Sequence, residues 1–151
     1  NNILYLEEFF EKYKGNLQSG FYGEMTIEHA VERTISEASI LEDEMLELAG
    51  NLSGSKNQSL DALFKPLDNL EFGFTLLSKQ KAYGPAQQSW LRLYALKLGT
   101  GAYIITGGAI KLTRMMSESD NTKVELSKLE RCRAYLLEEG LLDIDGFTEL
   151  D

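Results

Sequence analysis

The chain has 151 residues, a length that fits one domain better than two and that can bury a core without a metal or a disulfide. One cysteine, Cys132, and one histidine, His29, exclude an internal disulfide framework, a cysteine-rich zinc site and a histidine-rich metal centre. The net charge of −9 argues against general nucleic-acid binding and against adhesion to anionic membranes. With no recognisable signal peptide and no apolar run long enough to cross a membrane, we expect a cytoplasmic protein without a metal or cofactor.

The first part of the chain predicts helices. Apolar residues at three- and four-residue spacing predict a short amphipathic helix over residues 3–14, which Gly15, Gly20 and Gly23 then break into a loop. The same spacing predicts a helix of about six turns that starts after Thr26, its N-cap, and ends at Gly50. The opposite side of this long helix is rich in acidic residues. A polar loop over residues 51–58 and a short helix over residues 59–64 follow.

The second part predicts an antiparallel sheet and a final helix. Residues 72–79, 90–98 and 102–113 are extended runs rich in aromatic and β-branched residues, and residues 99–101 form a tight hairpin turn between the last two. The pair Gly107 and Gly108 indicates a bulge within the third strand. Thr122 and Glu125 match a capping box that opens a helix, and Gly140 ends it.

The order of these elements predicts an α+β fold, in which N-terminal helices and a C-terminal helix accompany a small antiparallel sheet of three or more strands. We expect a single domain with three parts. Residues 1–58 form an acidic helical part, residues 59–140 form the core, and residues 141–151 form an acidic tail.

Charge is unevenly distributed along the chain. Residues 1–71 contain 14 acidic and 5 basic residues, residues 72–117 contain six basic residues and no acidic one, and residues 118–151 contain 10 acidic and 4 basic residues. Strands are depleted in Asp and Glu, which explains the missing acids but not the six retained bases. The middle segment therefore predicts either an ordinary strand-rich region or a functional basic face.

Three features of the sequence that could indicate a nucleotide-binding or catalytic site do not support one. The segment after Thr106 contains two glycines and Lys111, but the spacing of a phosphate-binding P-loop is absent and the segment is extended, so Walker-type nucleotide binding is rejected. His29 has no second ligand or triad partner at a suitable spacing. Cys132 falls on the apolar stripe of the last helix and is expected to pack in the core.

Aromatic and basic residues alternate along the predicted hairpin. Such a surface suits RNA, because rings stack on bases and cations attract phosphates. The alternative is that the aromatic residues face the helices and form the core, and strand alternation alone does not decide between the two. The residues concerned are Trp90, Arg92, Tyr94, Lys97, Tyr103 and Lys111.

The second half of the chain resembles the RelE/HigB superfamily of toxin–antitoxin ribonucleases, especially its phage-derived branch. The resemblance rests on a strand with an internal arginine (residues 90–96), an apolar strand that ends in bases (residues 102–114), and a capped helix that contains an acid and arginines (residues 122–133). It covers about residues 60–137 and implies a RelE-like fold. It also implies metal-independent endoribonuclease activity, in which the RNA 2′-hydroxyl attacks and positive charge assists.

The resemblance implies catalytic roles for Arg92, Lys111 and Arg114. Lys79, Lys81, Trp90 and Lys97 are candidates for RNA binding. The leading hypothesis is thus a toxin that acts on mRNA or the ribosome and has an antitoxin or other protein partner. The competing hypothesis is a non-catalytic interaction module, monomeric or homodimeric, whose basic sheet binds an acidic helix or an acidic partner.

Overall fold

The computed structural model describes residues 2–18, 23–50, 59–67, 77–85, 88–112 and 120–140. The predicted α+β class is confirmed: N-terminal helices, a four-stranded antiparallel sheet and a C-terminal helix. Between the third helix and the sheet, Leu60–Ala62 form a 3₁₀ turn. The helices and strands are α1 (Asn2–Lys12), α2 (Lys14–Gln18), α3 (Ile27–Ala49), β1 (Lys65–Pro66), β2 (Lys79–Tyr83), β3 (Leu91–Gly99), β4 (Ala102–Ile110) and α4 (Asp120–Glu138).

The long helix α3 forms as its sequence pattern predicts. The hydroxyl of Thr26 accepts a hydrogen bond from the backbone N–H of His29 at 3.1 Å, which satisfies one of the free donors at the helix start. Val31, Thr34 and Leu41 lie on the buried side of the helix. The helix therefore owes its position to a single apolar stripe and its start to a side-chain cap.

The sheet is a meander in the order β1-β2-β3-β4, with every neighbouring pair antiparallel. The predicted bulge lies in β4, where Tyr94 pairs with Gly107 but the next residue, Ala95, pairs with Ile105, so that β4 has one extra residue. The backbone φ of Gly107 is +156°, a conformation that favours glycine. The two glycines are thus a device of the backbone rather than part of a phosphate loop.

The helix α4 covers one face of the sheet, which we call the α4 face. Tyr94, Leu96 and Leu98 of β3 pack there against Leu129 and Leu136 of α4. Since side chains alternate along a strand, Arg92 also lies on this face, one step beyond Tyr94. The sequence interval between the two leucines of α4, seven residues, corresponds to two helical turns and places both on the same side.

The opposite face, which we call the α3 face, is covered by α3 and the 3₁₀ turn. Ala82 and Ala95 are fully buried there with Leu60, and Met45 and Leu48 from the C-terminal half of α3 pack against them. The acidic helix α3 and the α4 face therefore lie on opposite sides of the sheet.

The first helices pack around the start of β3. Phe10, Leu17 and Ala30 are fully buried in one cluster with Trp90, whose ring centroid lies 5.3 Å from that of Phe10. The indole N–H of Trp90 donates to the hydroxyl of Thr34 at 2.9 Å, so its one polar atom is satisfied inside the core. Trp90 therefore connects α1, α3 and the sheet.

The structure differs from the local predictions at three places. In the strand predicted over residues 72–79, Leu77 and Ser78 are not part of a strand, and Lys79 begins β2, which runs to Tyr83; residues 72–76 lie outside the described residues. Thr122 does not cap a helix: α4 begins two residues earlier and the side chain of Thr122 is buried in its first turn. Gly15 does not break the N-terminal segment but lies inside α2. None of the helices in the described part of the chain is both long and apolar enough to cross a membrane.

Candidate functional site

Four side chains with cationic or aromatic character share the edge of the α4 face that is formed by β1, β2 and β3. Lys65 pairs with Lys81 across β1 and β2, and Tyr83 pairs with Arg92 across β2 and β3. Directly paired residues project to the same face of a sheet, as do alternate residues along one strand. We call Lys65, Lys81, Tyr83 and Arg92 the basic cluster.

The three cations of the basic cluster surround the ring of Tyr83. The Nζ of Lys65 and the Cζ of Arg92 each lie 4.2 Å from the ring centroid, and the Nζ of Lys81 lies 5.7 Å from it. All three distances are within the range of cation–π attraction. The Nη1 of Arg92 also donates to the carbonyls of Ser89 and Leu91, both at 2.8 Å, which holds the guanidinium in place. The cluster therefore places three positive charges around one aromatic ring.

Crowding of like charges changes the chemistry of the Tyr83 hydroxyl. Partial burial by itself raises the pKa of this group, but a hydrogen bond from Lys81 and the charges of Lys81, Lys65 and Arg92 oppose burial, so the pKa lies below the ordinary tyrosine value. In the described part of the chain no carboxylate forms an ion pair with Lys65 or Lys81. The cluster thus offers positive charge, an aromatic ring and an acidified hydroxyl to an anion.

Lys79 lies on the same face but has a different role. Its Nζ contacts the carboxylate of Glu130 on α4 at 2.8 Å. The hydrogen bond and charge of Lys79 lower the pKa of Glu130 despite a small opposing effect of burial. Lys79 therefore connects α4 to the sheet, and its charge is offset locally.

Lys97 lies on the α3 face and is bound to a carboxylate. Its Nζ is 3.2 Å from Asp61, which also accepts hydrogen bonds from the Tyr103 hydroxyl at 2.6 Å and from the Gly101 backbone N–H at 3.0 Å. Burial raises the pKa of Asp61, but these three partners together lower it below the ordinary value. This network joins the 3₁₀ turn to the β3–β4 hairpin, so we assign Lys97 to the packing of the hairpin.

The remaining candidates are placed as follows. Trp90 has no exposed surface and is not available to stack on a base, so it belongs to the core. The backbone N–H of Lys111 donates to the carbonyl of Trp90 at 2.8 Å. This bond places Lys111 beside the start of β3, the strand that carries Arg92. Arg114 lies outside the described residues. Of the seven candidates, the structure brings Arg92 and Lys81 together in one cluster.

Lys65 and Tyr83 are cluster members that the sequence did not identify. A signal for Tyr83 was present, because Lys79, Lys81 and Tyr83 alternate and share one face of any strand that contains them. That signal was lost when the strand was placed at residues 72–79. Lys65 lies in a strand of only two residues, and its place beside Lys81 depends on the register of the sheet, for which the sequence offers no local sign.

The other groups considered from the sequence have structural roles. Burial raises the pKa of the Cys132 thiol, which disfavours the nucleophilic thiolate, and the side chain packs on the apolar cluster under α4 as expected. His29 is exposed at the start of α3. The described residues contain no group of three or more His, Cys, Asp or Glu side chains placed to hold a metal ion.

Comparison with protein-family models, with curated proteins and with solved structures finds no match to this chain.

Proposed function

We propose that the protein binds the phosphate backbone of RNA with the basic cluster on the α4 face. The observation that carries this proposal is the placement of Lys65, Lys81 and Arg92 around one tyrosine ring, without a carboxylate ion-paired to either lysine among the described residues. Cations held in this way attract phosphates.

The resemblance to the RelE/HigB superfamily extends the proposal to cleavage of mRNA on the ribosome. In this reaction the RNA 2′-hydroxyl loses its proton and attacks the neighbouring phosphorus, while negative charge accumulates on the phosphate oxygens. The bond from phosphorus to the 5′-oxygen breaks, and that oxygen takes up a proton, so the products are a 2′,3′-cyclic phosphate and a 5′-hydroxyl. Arg92 would stabilise that charge. Tyr83 is the group of the cluster that can exchange a proton, since its hydroxyl has a lowered pKa. Lys111 and Arg114 remain catalytic candidates through the resemblance alone.

A second candidate is a non-catalytic interaction module in which the basic cluster binds an acidic helix. The exposed side of α3 favours it, because six exposed acidic residues and no exposed Lys or Arg lie along that helix. Since α3 lies across the sheet from the cluster, the acidic helix would come from a second copy or from another protein, such as an antitoxin. The exposed acids are Glu28, Glu32, Glu42, Asp43, Glu44 and Glu47.

Binding of a fluorescent single-stranded RNA, followed by anisotropy, separates these candidates. We expect Lys81→Gln and Arg92→Gln each to weaken binding about tenfold, because each removes a charge-assisted contact to phosphate. Lys123→Gln is the matched control: it removes the same charge from an exposed position on α4 outside the cluster. Equal effects of all three substitutions would show only a general charge effect and would contradict binding at the cluster.

Cleavage is tested by expression in cells, with measurement of translation and of mRNA integrity. We expect the wild type and Lys123→Gln to reduce growth and to cut mRNA, and a combined Lys81→Gln/Arg92→Gln variant to do neither. Equal growth and intact mRNA with all three proteins would remove the ribonuclease proposal. RNA binding by the purified protein that persists in that case would leave the binding proposal standing.

A further inference from the structure

A second surface of the molecule, on the other side of the sheet from the basic cluster, has the form of a groove. It runs between α3 and the strands β3 and β4, and its volume is about 700 Å³. Leu91, Leu93 and Ile110 form its floor, and Ile35 and Leu46 of α3 stand along its wall. The C-terminal half of α3 packs on Ala82 and Ala95 through Met45 and Leu48, and the groove lies beside this contact.

The groove is bordered by large apolar side chains that reach solvent. Ile35 is 41% exposed, Leu46 is 61% exposed, and Tyr5, at the end of the groove where α1 begins, is 54% exposed. Single exposed apolar residues are common on protein surfaces, but a continuous apolar strip along a concave surface is typical of an interaction site. Three such residues along one groove meet that description.

Charge on the rim indicates what kind of partner fits. Two charged residues line the groove, Glu42 and Arg92, and the guanidinium of Arg92 is held against the Tyr83 ring at 4.2 Å. Glu42 is exposed, and Glu32 and Asp43 are exposed on the adjoining side of α3, so the α3 side of the rim is acidic. The one basic residue within α3, Arg33, is half-buried and paired with Glu37 on the other side of the helix. An apolar floor with an acidic rim is complementary to a partner that has an apolar stripe flanked by basic residues.

The hydrogen bonds at the end of β4, the edge strand beside the groove, favour a helical partner over a strand added to the sheet. A partner strand would pair with the outward backbone groups of β4, but at Ile110 those groups are taken by Asn121, which accepts from the backbone N–H at 3.1 Å and donates to the carbonyl at 3.4 Å. A helix needs no backbone partner and places apolar residues at i, i+3, i+4 and i+7 into a groove. We propose that this groove binds a basic amphipathic helix of a partner protein.

The test uses a synthetic helix of about 18 residues, built from leucine and lysine with the leucines on one stripe, and labelled for fluorescence anisotropy. A second peptide of the same composition has its leucines distributed around the helix. At moderate salt we expect the striped peptide to bind about tenfold more tightly than the permuted one, because only the stripe can enter the groove while both carry the same charge. Equal affinity of the two peptides would overturn the proposal.

Matched variants locate the binding surface. Ile35→Ser and Leu46→Ser should each weaken binding of the striped peptide about fivefold or more, by removing apolar contact in the groove. Ile40→Ser is the control, since Ile40 lies on the same helix and is 50% exposed but does not line the groove. We expect it to change affinity less than about twofold. An effect of Ile40→Ser equal to that of Ile35→Ser would contradict binding in the groove.

Sedimentation of the protein without peptide tests whether a second copy of this chain occupies the groove instead. A dimer that is present in the wild type and absent in Ile35→Ser would assign the groove to a second copy of this chain and would overturn the proposal. A wild-type protein that sediments as a monomer and binds the striped peptide supports it. Because all the substituted residues are exposed, each variant is expected to fold, and circular dichroism checks this.

Discussion

Substitution of Asp61 by alanine is expected to destabilise the protein strongly, because one carboxylate serves three partners. It accepts from the Tyr103 hydroxyl, from the Gly101 backbone N–H and from the Lys97 ammonium, and its own side chain is only 6% exposed. Removal leaves a half-buried hydroxyl and a backbone donor without their acceptor. At about 1 kcal/mol for each neutral bond, and somewhat more for the charged one, the expected loss is about 3 kcal/mol.

Chemical denaturation followed by the fluorescence of Trp90 measures this loss. Trp90 is the one tryptophan of the chain and is fully buried, so its emission reports directly on unfolding. Asp43→Ala is the control, since it removes an exposed acid from α3 and is expected to change stability by less than about 0.5 kcal/mol. If Asp61→Ala costs no more than this control, the network does not hold the hairpin on the 3₁₀ turn, and our assignment of Lys97 to hairpin packing is refuted.

Three further predictions follow from single contacts. The pKa of Asp61 is lower in the folded protein than its unfolded value of about 3.9, so its contribution to stability is complete above that value and is lost as pH falls through the folded pKa. The difference in unfolding free energy between wild type and Asp61→Asn should therefore narrow below about pH 4. A difference that stays constant with pH would contradict this prediction. Gly108→Ala should lower the free energy of unfolding, measured by chemical denaturation, by about 1–3 kcal/mol, because the new Cβ would lie 2.8 Å from the backbone oxygen of Arg92. Unchanged stability would show that β3 and β4 can move apart at this point without cost. In a spectrophotometric titration, one tyrosine should ionise at lower pH in the wild type than in Lys81→Gln, and Tyr83→Phe should remove that step; an early step that survives Tyr83→Phe would belong to another residue.

Helices were predicted well where a long apolar stripe and a local cap coincide. For α3, the stripe and the Thr26 cap are properties of neighbouring residues, and the structure confirms both. The hairpin of β3 and β4 was also predicted, because residues 99–101 form a tight turn between two apolar runs and the bulge at Gly107 follows from a backbone that only glycine adopts easily.

All of β2 after Lys79 was missed because β2 is not a typical strand in composition. Its residues, Lys79–Tyr83, include two lysines and a glutamine, while the aromatic segment before it resembles a strand more closely. The pairing of β2 with β3 selects this segment, and pairing over a distance along the chain leaves no local pattern. The capping pattern at Thr122 was also wrong, because α4 already includes Asp120 and Thr122 lies buried in its first turn.

The candidate site was predicted only in part, and the missing part has a related cause. Arg92 was identified as a basic residue within an apolar strand, a signal that is local to the sequence. Its neighbours Lys65 and Tyr83 depend on which residues lie opposite each other in the sheet. The net charge of −9 was the least informative feature, since α3 and the basic cluster lie on opposite sides of the sheet and their charges do not act on a partner as one sum.

The salt dependence of RNA affinity tests the central claim most directly. For single-stranded RNA, the slope of log affinity against log salt concentration changes by about 0.7 for each phosphate contact that is lost. We predict that Arg92→Gln and Lys81→Gln each reduce the slope by about this amount and that Lys123→Gln leaves it unchanged. Equal slopes for all four proteins, wild type included, would contradict the claim that the basic cluster contacts the phosphate backbone.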